Sequence, residues 1–341
     1  MLLLDSLYIN NGGGKVLLDY LVERLEQSNR EVFYLFDERC KKEFQQIPKT
    51  RKLFLKASLW NRYWFYRKHR GLFSKIFCFG NIPPLTKQKC QVITYFHQLL
   101  YLKNPFNIYI KENTSLKRFF SLLFRQLFLK SLSGNSNKWF VQLPSLKIEL
   151  SDKYEININN VDLMPFYPSI PKDGNSYERI QNAYLYVSGG SPHKNHQLLI
   201  NAFCRFYDKK KEGKLTLTIP DNFSDLCDLI KEKQDKGYPI NNIGFVKREN
   251  LYKSYQTHEY LIYPSLAESF GLGIVEAIEH GCKVIGADLK YMHDVCIPSL
   301  IFNPYKEDEL IKVFERSLDK DVKTTHLNIK NRINEVLKLL S

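Results

Sequence analysis

No Cys-x-x-Cys occurs in the chain, and its seven cysteines (Cys40, Cys78, Cys90, Cys204, Cys227, Cys282 and Cys296) are odd in number. That argues against a zinc ribbon and a disulfide framework, so a reducing, cytoplasmic setting is expected. No charge-free run of 18 apolar residues is present, so a transmembrane helix is not expected. The opening MLLLDSLYIN lacks the basic front and long apolar stretch of a signal peptide and reads as a first buried strand. Repeats and low-complexity tracts are missing as well. The histidines show no ligand spacing. The one Asp-x-Asp, Asp319-Lys320-Asp321, lies in a charged helical tail with no buried strand before it. Neither a metal nor any other cofactor is expected.

Acidic residues are scarce in one region. Residues 41–138 hold 20 Lys and Arg against two carboxylates, Glu43 and Glu112. Residues 1–165 carry 26 basic and 13 acidic side chains, whereas 166–341 carry 24 and 23. The first half therefore has an anionic partner. Its cations are interleaved with Trp60, Tyr63, Trp64, Phe65, Tyr66, Phe119, Phe120, Phe124 and Phe128, a mixture that suits a membrane interface as well as nucleic acid. In 114–133, Leu116, Phe119, Phe120, Leu123 and Leu127 recur at helical spacing among Lys117, Arg118, Arg125 and Lys130. The pattern fits an interfacial helix and a helix packed inward equally well.

With 341 residues, 44% of them hydrophobic, two domains are expected. The first begins as strand, Asn10-Asn11-Gly12-Gly13-Gly14, helix from Lys15 to Gln27, and strand 31–36; further strands are predicted at 75–80, 91–96 and 138–142. Residues 151–182 carry Pro165, Pro168 and Pro171 without sustained periodicity and read as a linker, which places the domain boundary near 168. Beyond it, predicted strands at 183–189, 215–220, 242–246, 259–264, 282–287 and 297–303 alternate with helices, the signature of a parallel sheet covered by helices.

The segment EYLIYPSLAESFGLGIVEAIEHGCKVIGAD at 259–288 carries the chemistry. A buried strand ends at Pro264, a turn bears Glu268, and Phe270-Gly271-Leu272-Gly273 opens a helix with Glu276 about one turn inside. Glycines at a helix entrance let a phosphate reach bare N–H groups, where the helix dipole favours negative charge. Carboxylates on either side accept hydrogen bonds from hydroxyl-rich groups such as sugars.

Glu268 and Glu276, with Ser269-Phe270-Gly271 after the first, resemble the signature of retaining glycosyltransferases of the GT-B fold, in particular family 4 (glycosyl transferases group 1) of the bacterial surface-polysaccharide type. The resemblance implies an α/β architecture of two Rossmann-like domains facing a cleft. The acceptor domain is 1–167, the nucleotide-sugar domain 168–325, and a helix in 326–341 packs back on the first. It implies Glu268 for the transferred sugar, Glu276 for the ribose, and Gly271 to Gly273, Leu272 included, for the diphosphate, with Ser269 and Phe270 also among the donor-binding residues. In Ser188-Gly189-Gly190-Ser191-Pro192-His193-Lys194-Asn195, Lys194 matches the lysine that neutralises the leaving nucleoside diphosphate. The arginine that usually precedes it is Gly189 here. Lys194 also fits a solvated helix-entry lysine. Gly13 and Gly14 resemble the loop facing the donor phosphates, although a glycine triplet can also be a plain turn. His97 stands where the family often lines the sugar site, and a structural role fits it as well. Val246 ends the strand whose backbone usually contacts the base.

The resemblance therefore predicts transfer from a nucleotide sugar, UDP-linked or GDP-linked, to a glycan or lipid-linked acceptor with retention, at the inner face of the plasma membrane. A sugar-nucleotide epimerase on the same fold is the enzymatic alternative. A basic nucleic-acid-binding protein is the alternative of another class, but it leaves Glu268 and Glu276 unexplained and no nucleic acid is expected as partner.

Overall fold

The structure is a computed structural model that describes residues 1–105, 115–171, 174, 175 and 177–341, and of Arg118 the backbone alone. Glu112, and Thr114 at the start of the expected amphipathic helix, lie outside the described residues. Two compact units make up the chain, Met1–Pro168 with Lys330–Ser341, and Ser169–Ile329. Both are Rossmann-like, each a parallel sheet flanked by helices.

Among the described residues the first unit has seven parallel strands: β1 (Leu2–Asp5), β2 (Val32–Asp37), β3 (Lys52–Leu55), β4 (Lys75–Cys78), β5 (Gln91–Tyr95), β6 (Lys138–Val141) and β7 (Val161–Leu163). Their order is β3-β2-β1-β4-β5-β6-β7. Leu3, Ile76 and Val92 lie side by side in register on β1, β4 and β5 and, with Leu35 of β2, are buried against Phe65, Tyr66 and Phe73. The helices are α1 (Gly12–Glu26), α2 (Leu59–Lys68), α3 (Leu116–Leu132) and α4 (Pro144–Tyr154). The crossovers from β3 to β4 and from β5 to β6 run in the same direction across the sheet, so right-handed connections put α2 and α3 on one face.

Three expectations change here. The glycine triplet is the first turn of α1, with Gly12 at φ +63°. Six residues, Ser6 to Asn11, connect the end of β1 to this helix start. Both edge strands escape the sequence pattern, because β3 is half-buried among cations and β7 lies inside the proline-rich stretch read as linker. Pairing with β2 and β6, a tertiary effect, holds them in place.

In the second unit β8 (Ile180–Tyr186), β9 (Lys214–Leu217), β10 (Ile240–Asn242), β11 (His258–Tyr263), β12 (Lys283–Ala287) and β14 (Leu300–Phe302) form a parallel sheet ordered β10-β9-β8-β11-β12-β14. A short antiparallel pair, β13 (Cys296–Ile297) and β15 (His326–Leu327), stands apart. The helices are α5 (His196–Lys210), α6 (Ser224–Asp235), α7 (Leu251–Thr257), α8 (Leu272–Glu279), α9 (Lys290–Val295) and α10 (Glu307–Ser317). Central strand β11 is buried from Tyr260 to Tyr263, as a strand covered on both faces must be. Strand β10 ends at Asn242, so Gly244 to Val246 are loop rather than strand.

Helix α11 (Ile333–Leu339) belongs to the first unit. The Arg332 backbone N–H donates to the Pro165 carbonyl at 2.8 Å and its guanidinium to the Leu163 carbonyl at 2.6 Å. Arg24 on α1 donates to Asn334 at 3.0 Å.

Candidate active site

Parallel strands put all their carboxyl ends on one edge of a sheet, where ligands of open α/β sheets bind. In the second unit the loops after β8, β10 and β11 leave from that edge, carrying Lys194, Val246 and Glu268 in turn. The loop after β8 and the turn after β11 are joined. The Leu266 backbone N–H donates to the His193 carbonyl at 2.8 Å, and Tyr186 Oη donates to the Lys194 carbonyl at 2.9 Å. Lys194 Nζ then reaches Glu268 Oε1 at 2.6 Å and lies 5.9 Å from the centre of the Tyr263 ring. Both side chains keep partial access to solvent, at 19% and 13% exposure. The spot is accessible yet already paired.

Beneath this pair lie three buried tyrosines that the sequence did not single out. Tyr186 and Tyr263 meet edge to face at 5.6 Å, and Tyr263 and Tyr291 at 6.3 Å. Burial drives all three phenols well above their ordinary value of 10, and the Glu268 charge adds to it. They stay neutral, and two donate to backbone: Tyr186 to Lys194 as above, and Tyr291 Oη to the Ser265 carbonyl at 2.6 Å. The turn that carries Glu268 is thereby held from below.

Gly271 caps α8 at φ +81°, where a Cβ would come within 2.8 Å of Ile274 Cδ1. Only glycine takes that conformation without strain. No side chain caps the helix and no acidic residue occupies its first turn. The N–H groups of Leu272 and Gly273 therefore have no intrahelical acceptor, and the positive end of the dipole is uncompensated. Phe270 is buried and Ser269 half-buried beside this entrance.

Glu276, one turn further on, is 4% exposed. Its Oε1 accepts from Arg248 Nε at 2.6 Å and its Oε2 from Tyr255 Oη at 3.1 Å. Burial raises its pKa above the ordinary value, with Arg248 and Tyr255 pulling the other way. Neither partner is legible in the sequence. Arg248 sits in a Lys-Arg-Glu-Asn loop that reads as solvated charge, and Tyr255 is one of 21 tyrosines. Val246 is half-buried two residues before Arg248, beside a Phe245 that is 75% exposed.

Gly189 stands at the position of the expected arginine. The Phe223 ring lies on the 189–190 backbone: a Cβ on Gly190 would meet Phe223 Cγ at 2.5 Å, and one on Gly189 would touch the same ring at 3.8 Å. Behind the loop His196, 3% exposed, places Nε2 3.0 Å from both Ser188 Oγ and the Gly189 carbonyl, while its Nδ1 is buried with no partner.

Gly13, Gly14 and His97 occupy the carboxyl edge of the first unit's sheet. His97 donates from Nε2 to the Phe79 carbonyl at 3.0 Å and stacks on the Phe79 ring at 5.2 Å. Burial lowers its pKa to about 4, so the ring is neutral with Nδ1 as its acceptor atom. A Cβ on Gly14 would lie 2.9 Å from His97 Cε1 and 3.5 Å from Nδ1. The bare backbone of α1 and the imidazole thus face each other. Gly13 is exposed beside them.

Among the described residues no group of three or more His, Cys, Asp and Glu side chains could hold a metal ion. Asp319 and Asp321 both bond Arg316, Asp321 at 2.7 and 2.9 Å, in keeping with a surface-charge reading of that tripeptide.

On the outer surface of the first unit, α3 has two apolar faces. Leu122, Leu129 and Leu132 are buried, while Leu116, Phe120, Phe124 and Leu127 are exposed by 58 to 64%. These four fall in one stripe at helical spacing, with exposed Lys117 and Lys130 near its two ends. No helix among the described residues is long and apolar enough to cross a membrane.

Residues 172–334 match the family described as glycosyl transferases group 1, and this stretch is a domain of that kind. No curated protein sequence matches the chain. Among solved structures it resembles sucrose-phosphate synthase from Thermosynechococcus elongatus, with 16% identity and a TM-score of 0.72 over 100% of this chain and 94% of the other. Anabaena HepE in complex with UDP and glucose follows at 15% and 0.65, over 100% and 94%. WaaG, a glycosyltransferase of lipopolysaccharide biosynthesis, gives 13% and 0.64, over 93% and 90%. At such identities the likeness is one of fold, that of the GT-B glycosyltransferases.

Proposed function

With residues 172–334 a glycosyl transferases group 1 domain, we propose that the chain is a retaining glycosyltransferase. It moves a sugar from a nucleotide donor, UDP-linked by preference, to a glycan or lipid-linked glycan in surface-polysaccharide synthesis. The observation that carries this reading is the Lys194–Glu268 pair beside the uncapped start of α8 on one sheet edge. A solved structure of similar fold holds UDP and glucose, and another of the same protein UDP-glucose. We assign the donor to the second unit and the acceptor to the first.

In this mechanism the N–H groups of Leu272 and Gly273 and the α8 dipole take the diphosphate. Glu268 accepts hydrogen bonds from the sugar hydroxyls, and Glu276 from the ribose. As the bond from the anomeric carbon to the diphosphate oxygen breaks, Lys194 meets the negative charge that grows there. The acceptor hydroxyl attacks from the face the diphosphate leaves and hands its proton to the departing phosphate oxygen, which retains configuration. His97, neutral with Nδ1 as acceptor, suits a hydroxyl group. No step calls for a metal or cofactor. The exposed stripe of α3 among cations supports peripheral attachment to an anionic membrane on the cytoplasmic side.

Thermal shift with UDP, UDP-sugars, GDP-sugars and an oligonucleotide, followed by a transfer assay on lipid-linked acceptors, tests the proposal. Stabilisation by UDP and a transfer product lost in Glu268→Ala support it. Conversion of free UDP-sugar to its epimer without acceptor, or stabilisation by the oligonucleotide alone, sinks it.

A further inference from the structure

A second concave site lies at the opposite edge of the first sheet. It is a cavity of about 540 Å³ whose lining includes Tyr63, Arg67, His69, Arg70, Lys87 and Lys89, and no Asp or Glu. Arg70 follows the end of α2 and precedes β4, and Lys87 and Lys89 immediately precede β5. The cavity therefore opens at the amino ends of β4 and β5, whereas His97 and Gly14 lie at the carboxyl edge. Arg70, Lys87 and Lys89 make no ion pair among the described residues, and Arg67 lies over the Tyr63 and Trp64 rings at 6.0 and 5.7 Å. Four cations around one hollow repel one another unless an anion enters, and nothing in the lining supplies it.

The same helix indicates where that anion comes from. Trp60 and Trp64 on α2 are 64% and 49% exposed and meet edge to face at 5.5 Å, while Tyr63, stacked on Trp60 at 5.9 Å, lines the cavity. Exposed tryptophan beside a cationic hollow suits the boundary between headgroups and acyl chains, where an indole buries its body and keeps its N–H wet. Nucleic acid calls instead for a stripe of charge along a groove. We propose that this cavity is a phosphate-binding site that takes the headgroup of an anionic phospholipid, with Trp60 and Trp64 entering the interfacial layer beside it. The inference rests on the membrane reading of the first unit and is independent of the donor chemistry.

The full chain is titrated with inorganic phosphate by calorimetry, and with phosphatidylcholine vesicles with and without phosphatidylglycerol by cosedimentation. Two variants accompany it, Arg70→Glu/Lys89→Glu and Trp60→Ala/Trp64→Ala, both changed at the surface and checked by thermal unfolding. The charge reversal is expected to weaken binding to anionic vesicles by at least about tenfold and to abolish phosphate binding. The tryptophan variant is expected to lose vesicle binding and keep phosphate. Phosphate binding that needs Arg70 and Lys89, with vesicle binding indifferent to Trp60 and Trp64, upholds the anion site and overturns the headgroup as its source. Vesicle binding indifferent to the charge reversal overturns the inference and leaves the membrane reading standing. No vesicle binding by the wild type overturns both. An oligonucleotide that binds through Arg70 and Lys89 in place of vesicles overturns the lipid assignment.

Discussion

Lys194 Nζ and Glu268 Oε1 are 2.6 Å apart, so the cation assigned to the leaving group is paired with the carboxylate assigned to the sugar. A donor entering this edge must exchange that contact for contacts to its own diphosphate and hydroxyls. Both side chains retain some solvent access, so the pair can open toward an entering ligand.

Lys194→Ala is expected to lower kcat roughly 10²- to 10³-fold and, because it leaves a largely buried Glu268 without its cation, to lower stability by about 1–3 kcal/mol. Glu268→Gln releases Lys194, so UDP itself should bind as tightly as to wild type or tighter while transfer falls. Steady-state kinetics and UDP titration of the two variants separate these effects. Equal loss of UDP affinity in both would contradict the exchange.

Glu276 behaves differently, since it is buried and holds two partners. Glu276→Ala removes the carboxylate that both Arg248 and the Tyr255 hydroxyl bond, and removing one member of a buried pair costs about 3 kcal/mol. Glu276→Gln keeps an acceptor for both and should cost about 1 kcal/mol. Denaturant unfolding distinguishes them. Both variants should weaken UDP binding, through the ribose, more than binding of pyrophosphate.

Much of this site is legible in the sequence because it is local. Glu268, Gly271 and Glu276 fall within nine consecutive residues, and strand, turn and helix follow from a buried run, glycines and an apolar period. What escapes is what the fold assembles from a distance. Arg248 reaches Glu276 across 28 residues, and Lys194 reaches Glu268 across 74. The tyrosine floor under Glu268 draws on β8, β11 and α9, and no spacing rule links Tyr186, Tyr263 and Tyr291. Edge strands β3 and β7 are equally silent, because pairing rather than pattern defines them. On α3 the period is readable but not its direction, since a helix with two apolar faces gives the same spacing to both.

A pH dependence follows from His196. Its pKa is lowered to about 4 from the usual 6.5, by burial first, against the Gly189 carbonyl and with Lys194 adding to the depression. The folded state thus binds fewer protons than the unfolded chain between those values. Stability is unaffected above about pH 6.5 and falls as pH drops from there toward 4. Thermal unfolding of wild type and His196→Asn across this window should show the wild type losing more stability on acidification. A constant difference between them would mean that the imidazole does not titrate in this way.

The exposed stripe of α3 gives the last prediction. Phe120 and Phe124 are 60% and 64% exposed, so neither supports the fold, and their replacement leaves buried Leu122 and Leu129 in place. If this face lies on a membrane, each phenyl ring leaves water on binding, a gain of about 1.5–3 kcal/mol per ring if burial is complete. Phe120→Glu/Phe124→Glu removes that gain and adds two charges that an anionic surface repels. The variant should unfold like the wild type and bind phosphatidylglycerol vesicles at least about a hundredfold more weakly. Raising the salt should weaken the wild type through Lys117 and Lys130 but leave a residual affinity, because the apolar contribution is not screened. Binding that vanishes with salt and ignores Phe120 and Phe124 would mean that the attachment is purely electrostatic and that this stripe has another partner.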